Sequence, residues 1–277
     1  MPEGHVLHRL AHSVMDEFGG RPVTSSSPQG RFSSEAAEIT GHVLADAEAY
    51  GKHLFITFHS VPRHVHVHLG MAGRMEFGAG DPPPPRDTIR WRMVGDHGYT
   101  DLRGPAACEL LDESGMTKIL AKLGPDPLRD DADPDIGWAK VHRAAKPVAA
   151  LLMDQAVTAG VGNIFRAEVL YRHHIDPHMP GKLLTREEWD AIWDDLVELM
   201  HKALSVGRID TVYPEHMPEA MGRPPRVDPH GGEVYVYRRA GQQCYVCGSD
   251  VLTEVLEGRN LFWCPTCQPK TRRRLAP

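Results

Sequence analysis

Residues 154–164 read DQAVTAGVGNI, and apolar residues at helical spacing flank them at 147–153 and 164–171. The glycines in this stretch suit a tight turn between two helices, because glycine adopts backbone conformations that other residues avoid. Asn163 falls at the start of the second helix, where its amide and the backbone N–H groups of the first turn can hold a phosphate. The alternative is a plain helical hairpin in which Asn163 only caps the helix.

Four of the five cysteines form two close pairs, with the spacing Cys244-x2-Cys247-x16-Cys264-x2-Cys267. In a reducing compartment such clustering favours a metal site, and four thiolates complete a tetrahedral shell around zinc. We therefore predict one structural Zn2+ without an open coordination site, held by a β-hairpin that turns at Glu257-Gly258. Two disulfides are the alternative. Cys108 stands apart and is expected to be a small buried hydrophobic residue.

The sequence begins Met1-Pro2-Glu3-Gly4. Loss of Met1 would leave the secondary amine of Pro2, and an ordinary α-amine has a pKa near ~8. Part of such an amine is unprotonated at neutral pH, so it can attack an aldehydic sugar carbon and form a Schiff base. The neighbouring carboxyl group of Glu3 can shuttle protons in that reaction.

Periodicity predicts a first domain, residues 1–122, that is mainly β. Apolar residues at helical spacing from Val6 to Phe18 indicate a leading helix. Strand-like segments follow at 43–49, 54–58, 65–69 and about 90–94, and the proline tract 81–85 is expected to be an exposed loop. Three histidines alternate along His64-Val65-His66-Val67-His68, and we interpret them as polar residues on one face of a strand rather than as a metal site.

The second half of the chain changes to helical periodicity. Residues 123–135 read as a linker and residues 136–236 as a helical domain, in which the stripe from Trp189 to Met200 is core packing. A long mobile loop is expected at about 206–232, where proline and glycine are frequent. Residues 237–277 are assigned to the zinc hairpin.

Composition is that of an ordinary globular protein, with 41% hydrophobic and 25% charged residues. The sequence has neither a long apolar run nor a secretory signal, so we expect a cytoplasmic protein without a membrane span. A net charge of −6 taken alone argues against nucleic acid. Residues 237–277, however, carry seven Lys and Arg against three Asp and Glu, which is a local charge of +4. A basic face on an acidic protein can still bind phosphates.

Six blocks in order along the chain together resemble one family, the Fpg/Nei (formamidopyrimidine-DNA glycosylase/endonuclease VIII) DNA glycosylases. They are Met1-Pro2-Glu3-Gly4, Gly51-Lys52-His53-Leu54, His68-Leu69-Gly70-Met71-Ala72-Gly73, Leu123-Gly124-Pro125-Asp126-Pro127-Leu128, the stretch 154–164, and Arg259-Asn260-Leu261-Phe262-Trp263-Cys264. The resemblance implies an α+β fold with an N-terminal β-sandwich and flanking helices. It also implies a C-terminal helix-two-turn-helix domain with a zinc β-hairpin that holds the metal through four cysteines.

The resemblance also implies roles for individual residues. Pro2 would be the Schiff-base nucleophile and Glu3 the general acid/base. Lys52 is similar to a lysine that contacts phosphate and assists β-elimination, with a solvated turn lysine as the alternative. Asn163 and Arg259 are similar to a pair that clamps the phosphates flanking the lesion, and Arg259 would also assist δ-elimination. The expected partner is damaged double-stranded DNA, bound by a monomer.

A flipped-out nucleotide leaves a gap in the duplex that side chains must fill. Met71 stands where the formamidopyrimidine branch has an intercalating methionine, although plain packing would also explain it. Arg103 resembles a second gap-filling residue, but Pro105 replaces the aromatic wedge expected beside it. Val6 replaces a second glutamate often found near the N-terminus.

Three features favour the endonuclease VIII branch and oxidised pyrimidines. The opening Met-Pro-Glu-Gly is similar to that branch, and Ala149 stands where the other branch has lysine. The loop at about 206–232, which the resemblance places on the lesion side, does not resemble the loop that covers flipped 8-oxoguanine. The alternatives are a formamidopyrimidine/8-oxoguanine-type glycosylase, a non-catalytic damaged-DNA-binding protein of the same fold, or a zinc-ribbon scaffold for other proteins.

Overall fold

The computed structural model describes residues 2–228 and 232–273. The chain divides into two units, Met1–Lys122 and Leu123–Pro277. The first is built mainly of strands and the second mainly of helices, which confirms the α+β class. Among the described residues, no helix combines the length and the apolar character that crossing a membrane requires.

Two antiparallel four-stranded sheets form the first unit. Its strands are β1 (Thr24–Ser26), β2 (Leu44–Tyr50), β3 (His53–Phe58), β4 (His64–His68), β5 (Arg74–Ala79), β6 (Ile89–Val94), β7 (Gly98–Arg103) and β8 (Ala107–Leu111). One sheet has the strand order β2-β3-β4-β8 and the other β1-β6-β7-β5. The helices of this unit are α1 (Gly4–Phe18), α2 (Ser33–Ile39) and α3 (Glu113–Leu120).

One hydrophobic core joins α1 to both sheets. Leu7, Val14 and Phe18 on the buried face of α1 belong to the same cluster as Leu54 of β3 and Trp91 of β6. Burial of these apolar side chains is the main force that holds the sandwich together. The predicted leading helix and the β-sandwich with flanking helices are therefore confirmed.

The sequence did not reveal β1, which is three polar residues long, or β5, β7 and β8, in which charged residues interrupt the apolar alternation that marks a strand. Arg92 on β6 and Asp101 on β7 are both buried, and they form a two-pronged ion pair with N···O distances of 2.7 and 2.9 Å. Buried charges are stable only when they are paired in this way. A pair that spans two strands leaves no periodic signal in either one.

Helices and one hairpin form the second unit. They are α4 (Pro134–Val141), α5 (Val148–Leu151), α6 (Asn163–Arg172), α7 (Arg186–Val206), α8 (Pro218–Met221), β9 (Leu252–Leu256) and β10 (Arg259–Trp263). α7 begins with a capping box between Thr185 and Glu188 and ends at Gly207, whose left-handed conformation closes the helix. The expected hairpin turn at Glu257-Gly258 is confirmed by the antiparallel pairing of β9 with β10.

The helices and the hairpin share one core. Trp189 and Leu196 of α7 belong to the same cluster as Phe165 of α6 and Leu261 of β10. The stripe on α7 is core, as predicted. Because the hairpin contributes to this core, its folding is coupled to that of the helices.

The segment 123–135 is packed rather than loose. Asp126 is fully buried, and two backbone hydrogen bonds, Gly124 N to Gln155 O and Ala159 N to Pro125 O, join the segment to the turn before α6 at 2.8 and 2.9 Å. The second unit accordingly begins at Leu123.

The segment 206–232 is only partly irregular. It contains α8 and a short 3-10 helix at Pro214–His216, and the side chains of Ile209 and Val212 are buried. The expected long loop thus includes short helices, which the sequence did not reveal because helices of three or four residues are too short to show a period. Residues 229–231 of this segment lie outside the described residues.

Candidate active site

Lys52 lies at the tip of a two-residue turn between β2 and β3. Tyr50 pairs with His53 across the turn, and Gly51 has a φ of 58°. A two-residue hairpin turn with positive φ at its first central position favours glycine there, because a side chain would be strained. The Gly51-Lys52 sequence therefore fixes where the lysine projects from the sheet.

From the packing of α1 we infer that the N-terminus lies at the same end of this sheet. α1 packs against β2 and β3, and its far end is fixed to the start of β2 by a hydrogen bond from Gly20 N to Leu44 O of 2.9 Å. The 15 residues of α1 span roughly 22 Å and the 7 residues of β2 about the same. The start of α1 thus falls near the end of β2, where Lys52 follows. Glu3 is buried beside this start and Pro2 is half-buried.

The Met71 loop reaches the same edge of the sandwich. Ala106 N donates to His68 O at 2.8 Å, and a Cβ on Gly70, which has a φ of 66°, would lie 2.8 Å from the Ala106 Cβ. This close approach explains the glycine of the 68–73 block. Met71 itself is 67% exposed, so its side chain lies at the surface.

Arg103 is held within its own sheet. Its Nη2 donates to Asp101 at 2.7 Å and its Nη1 donates to Glu76. Only 19% of the side chain is exposed. Insertion into a duplex would require both ion pairs to break, so the geometry favours Met71 over Arg103 as the gap-filling residue.

A hydrogen-bonded histidine cluster stands beside Lys52, and the motif analysis did not find it. The Nδ1 of His53 lies 2.9 Å from the Nε2 of His66, and the Nδ1 of His66 lies 3.0 Å from a carboxylate oxygen of Glu109. The ring of His68 lies 4.9 Å from that of His53. β4 is a strand, as predicted, and its histidines bond to their neighbours in the sheet.

Burial keeps these histidines neutral. Desolvation, followed by the charges of His66, His68 and Lys52, lowers the pKa of His53 to about 3. Desolvation also lowers the pKa of His66 and that of His68. At neutral pH these imidazoles therefore carry no charge. Burial likewise raises the pKa of Cys108 to about 12, in keeping with its expected role as a buried hydrophobic residue.

In the second unit, side chains within the turn before α6 hydrogen-bond to the backbone of the same turn. The Oε1 of Gln155 accepts from Gly160 N at 3.0 Å, and the Nε2 of Gln155 donates to Val161 O at 2.9 Å. The carboxylate of Asp154 accepts from Ala156 N at 2.9 Å. These bonds satisfy backbone groups that the turn leaves outside a helix, so the stretch has one stable shape.

Asn163 binds the β9–β10 hairpin. It is the first residue of α6, its Nδ2 donates to Asn260 O at 2.9 Å, and its Oδ1 accepts from Arg166. Arg166 also donates to Asn260 O, at 3.2 Å. Asn260 directly follows Arg259, so the fold brings both predicted phosphate-binding residues together. The helix-cap alternative fails, because Gly162 is the N-cap of α6.

The four cysteines converge on one point. Their sulfur atoms all lie within 4.8 Å of one another, with Sγ···Sγ distances of 3.4 Å for Cys247–Cys264 and 3.8 Å for Cys244–Cys267. Sulfurs about 2.3 Å from a central zinc are roughly 3.8 Å apart in a tetrahedron. A disulfide needs about 2.05 Å. The donor set fits a closed zinc site, and the disulfide alternative is excluded.

Fewer of the basic residues in 237–277 are available at the surface than the sequence suggests. Arg239 is buried and donates to the backbone oxygens of Tyr235 and Gln243. Arg273 forms an ion pair with Glu188 at 2.6 Å. Arg274 lies outside the described residues. The sequence count of +4 therefore overestimates the charge available to phosphates.

Comparison with known proteins assigns the chain to a class. The profile of the formamidopyrimidine-DNA glycosylase N-terminal domain matches residues 1–108, and that of the formamidopyrimidine-DNA glycosylase H2TH domain matches residues 123–213. Solved structures share the fold. Lactococcus lactis Fpg in complex with an abasic-site DNA superposes with a TM-score of 0.78 over 97% of this chain and 100% of that chain, at 22% identity.

Curated relatives narrow the assignment. The chain is 49% identical to a protein named Endonuclease 8 1 of Mycobacterium tuberculosis, over 97% of this chain and 100% of the relative. It is 30% identical to a formamidopyrimidine-DNA glycosylase of Corynebacterium aurimucosum, over 87% and 84% of the two chains. The chain belongs to the Fpg/Nei family of base-excision-repair DNA glycosylases. The higher identity supports its place on the endonuclease VIII-like side, as the sequence predicted.

Proposed function

We propose that this enzyme removes oxidised bases, with pyrimidines favoured, from duplex DNA and then cleaves the strand as an AP lyase. One observation carries the proposal: α1 packs against β2 and β3, from which we infer that Pro2, Glu3 and Lys52 lie at one edge of the sandwich. A nucleophile, a proton carrier and a phosphate-binding cation are the three groups that such a reaction needs.

In the proposed reaction the amine of Pro2 attacks C1′ of the damaged nucleotide. The C1′–N bond to the base breaks, and the base leaves with the proton that the proline nitrogen loses. The electron pair of this nitrogen then forms an iminium ion with C1′ as the bond to the sugar-ring oxygen breaks, and the carboxyl group of Glu3 protonates that oxygen. The resulting carboxylate of Glu3 takes a proton from C2′, the bond to the 3′ phosphate breaks, and Lys52 binds the released phosphate. Arg259 assists the second elimination at the 5′ side.

Binding of the DNA is assigned to both units. Asn163 and Arg259 hold phosphates that flank the lesion, and Met71 fills the gap that the flipped nucleotide leaves. The preference for pyrimidines is supported by Gly4, by Ala149 and by the Mycobacterium tuberculosis relative named Endonuclease 8 1. We further propose that the protein acts as a monomer on the DNA of a bacterial cytoplasm.

Borohydride trapping on a lesion panel tests the function. Duplexes carrying thymine glycol, dihydrouracil, 8-oxoguanine, formamidopyrimidine or an abasic site are incubated with the enzyme and reductant. We expect covalent adducts with thymine glycol and dihydrouracil to form faster than with 8-oxoguanine. Faster trapping on 8-oxoguanine would instead favour a formamidopyrimidine-type enzyme. Binding to an abasic duplex without any adduct would favour a non-catalytic protein.

Arg259→Ala is expected to weaken binding to every duplex by a similar factor, roughly tenfold, because phosphate contacts carry no sequence information. The slope of log affinity against log salt should fall by about 0.9. Fluorescence anisotropy on damaged and undamaged duplexes measures both effects. Arg273→Ala is the matched control, since that arginine is paired with Glu188. A loss confined to one lesion would contradict the assigned role.

We propose that one structural Zn2+ occupies the four-cysteine site. Cys244, Cys247, Cys264 and Cys267 would hold it and leave no position for a substrate. The metal fixes the hairpin that carries Arg259 and contributes no reaction step. Chelation should therefore abolish DNA binding while the first unit stays folded.

Tyr171→Phe is expected to speed zinc release to a chelator about tenfold, because the phenol lies near the metal ligands and such contacts tune affinity. The hydroxyl of Tyr171 lies 3.0 Å from the sulfur of Cys244 and 3.7 Å from that of Cys267. A colorimetric chelator follows the release. Tyr213→Phe is the control, since the ring of Tyr213 packs over Arg172. Equal release from both variants would show that the phenol does not support the metal site.

A further inference from the structure

A chain of hydrogen bonds runs from Glu109 on β8 through His66 on β4 to His53 on β3. The two links measure 3.0 and 2.9 Å between the polar atoms. Strand pairing sets both distances. His66 pairs directly with Glu109 on β8 and lies diagonally across from His53 on β3. His66 is only 3% exposed. The chain ends at His53, the residue that follows Lys52.

The carboxylate at one end decides the proton positions of the whole chain. An ionised carboxylate only accepts, so the Nδ1 of His66 must donate to Glu109. The Nε2 of a neutral His66 is then a bare acceptor, and the Nδ1 of His53 must donate to it. The Nε2 of His53 is consequently left with its lone pair.

Ring packing protects this arrangement. The ring of Phe55 lies 5.2 Å from that of His66, and the rings of His53 and His66 lie nearly parallel with their centres 5.1 Å apart. A proton added to His53 would place a second positive charge in a desolvated site beside Lys52, which both burial and repulsion oppose. The imidazole therefore stays an acceptor at neutral pH.

We propose that Glu109 and His66 lock His53 as a neutral acceptor whose Nε2 positions the ammonium group of Lys52. Lysine has four rotatable side-chain bonds and donates three hydrogen bonds, so a fixed acceptor restricts it to fewer conformations. His53 is thus a positioning residue that acts through Lys52. This inference rests on the proposed function, because it assigns a task to the lysine of that reaction.

Nitrogen NMR of the enzyme with labelled histidine tests the lock directly. Long-range 1H–15N spectra distinguish the two neutral tautomers. We expect both His53 and His66 as Nδ1–H tautomers at pH 7, and His53 still neutral at pH 5. A His53 with its proton on Nε2, or one that becomes charged between pH 7 and pH 5, overturns the proposal.

Substitution of the carboxylate should release the lock. The amide of Glu109→Gln can either accept from His66 or donate to it, so we expect His53 to show both tautomers. Glu113→Gln is the matched control, because Glu113 pairs with His64 on the same strand at 3.4 Å. An unchanged His53 tautomer in Glu109→Gln would show that the carboxylate does not set the chain.

A double-mutant cycle tests the link to Lys52. On a preformed abasic-site duplex, His53→Phe should lower kcat for strand cleavage about tenfold with KM nearly unchanged. In a Lys52→Met background the same change should have no further effect, because a positioning residue acts only through its target. Thermal unfolding checks that each variant is folded. Independent, multiplying effects would overturn the proposal.

The two proposals fail in different ways. A wild-type enzyme that forms no borohydride adduct contradicts the proposed function, whatever the histidine tautomers are. Normal trapping by wild type together with a multiplying double-mutant cycle contradicts only the role of His53.

Discussion

Pro2→Gly is expected to abolish the borohydride adduct and to lower lyase turnover on an abasic duplex by about 10³-fold or more, as for loss of other catalytic nucleophiles. Proline is a secondary amine, so its Schiff base is a permanently charged iminium ion that withdraws electrons during elimination. Glycine would form an imine that loses its charge on deprotonation. The proline ring also fixes the direction of the amine, whereas a terminal glycine rotates freely.

A protein with extra residues before Pro2 is the most informative variant to compare with Pro2→Gly. The added peptide bond converts the amine to an amide, which is not nucleophilic, while the side chain of Pro2 is unchanged. We expect no adduct and an affinity for abasic duplex close to that of wild type. An adduct that persists in both proteins would show that another amine, such as that of Lys52, is the nucleophile.

Glu168→Gln is expected to destabilise the second unit by about 3 kcal/mol, because it removes acceptors from buried donors. Glu168 is fully buried on α6. Its carboxylate accepts from the backbone N–H groups of Tyr235, Val236 and Tyr237 and from the hydroxyl of Thr211, at 2.6 to 2.9 Å. An amide nitrogen in place of either oxygen would face at least one N–H donor and leave it unsatisfied.

Urea unfolding followed by tryptophan fluorescence measures this loss, since four of the five tryptophans lie in the second unit. Glu198→Gln on the exposed face of α7 is the control and should change stability by less than about 0.5 kcal/mol. A loss below about 1 kcal/mol in Glu168→Gln would contradict the role of the carboxylate as the shared acceptor.

Local patterns made much of this molecule predictable. The apolar period of α1 and α7, the apolar run of β3 and the alternation of β4 report burial, which the sequence records directly. The spacing of the four cysteines similarly reports a shared metal geometry. The turn at 154–162 was predictable because its glycines and Gln155 act within a few residues of one another.

Contacts between distant residues were not predictable. His66 and Glu109 are 43 positions apart, and Glu168 lies 67 positions from Tyr235. No pattern among neighbouring residues identifies these side chains, because strand pairing or the path of a loop determines which distant residue each one contacts. The same reason hid the ion pairs of Arg103, which was predicted to fill a gap in the duplex, and the burial of Arg239, which was counted among the basic residues of 237–277.

The hydrogen bonds of the Glu168 carboxylate bear on whether a segment of the chain can be exchanged between related glycosylases. It binds Thr211 before the segment 212–234 and Tyr235 after it, and Thr211 N also donates to Glu233 O at 2.8 Å. Both ends of the segment are thus tethered to α6 at one point. Lengthening a loop whose ends are already held costs little, since doubling its length adds only about 0.6 kcal/mol. Chimeras that keep the buried Val212 and Val234 and take the residues between them from another glycosylase should therefore fold, leaving lesion choice free to vary on a constant scaffold.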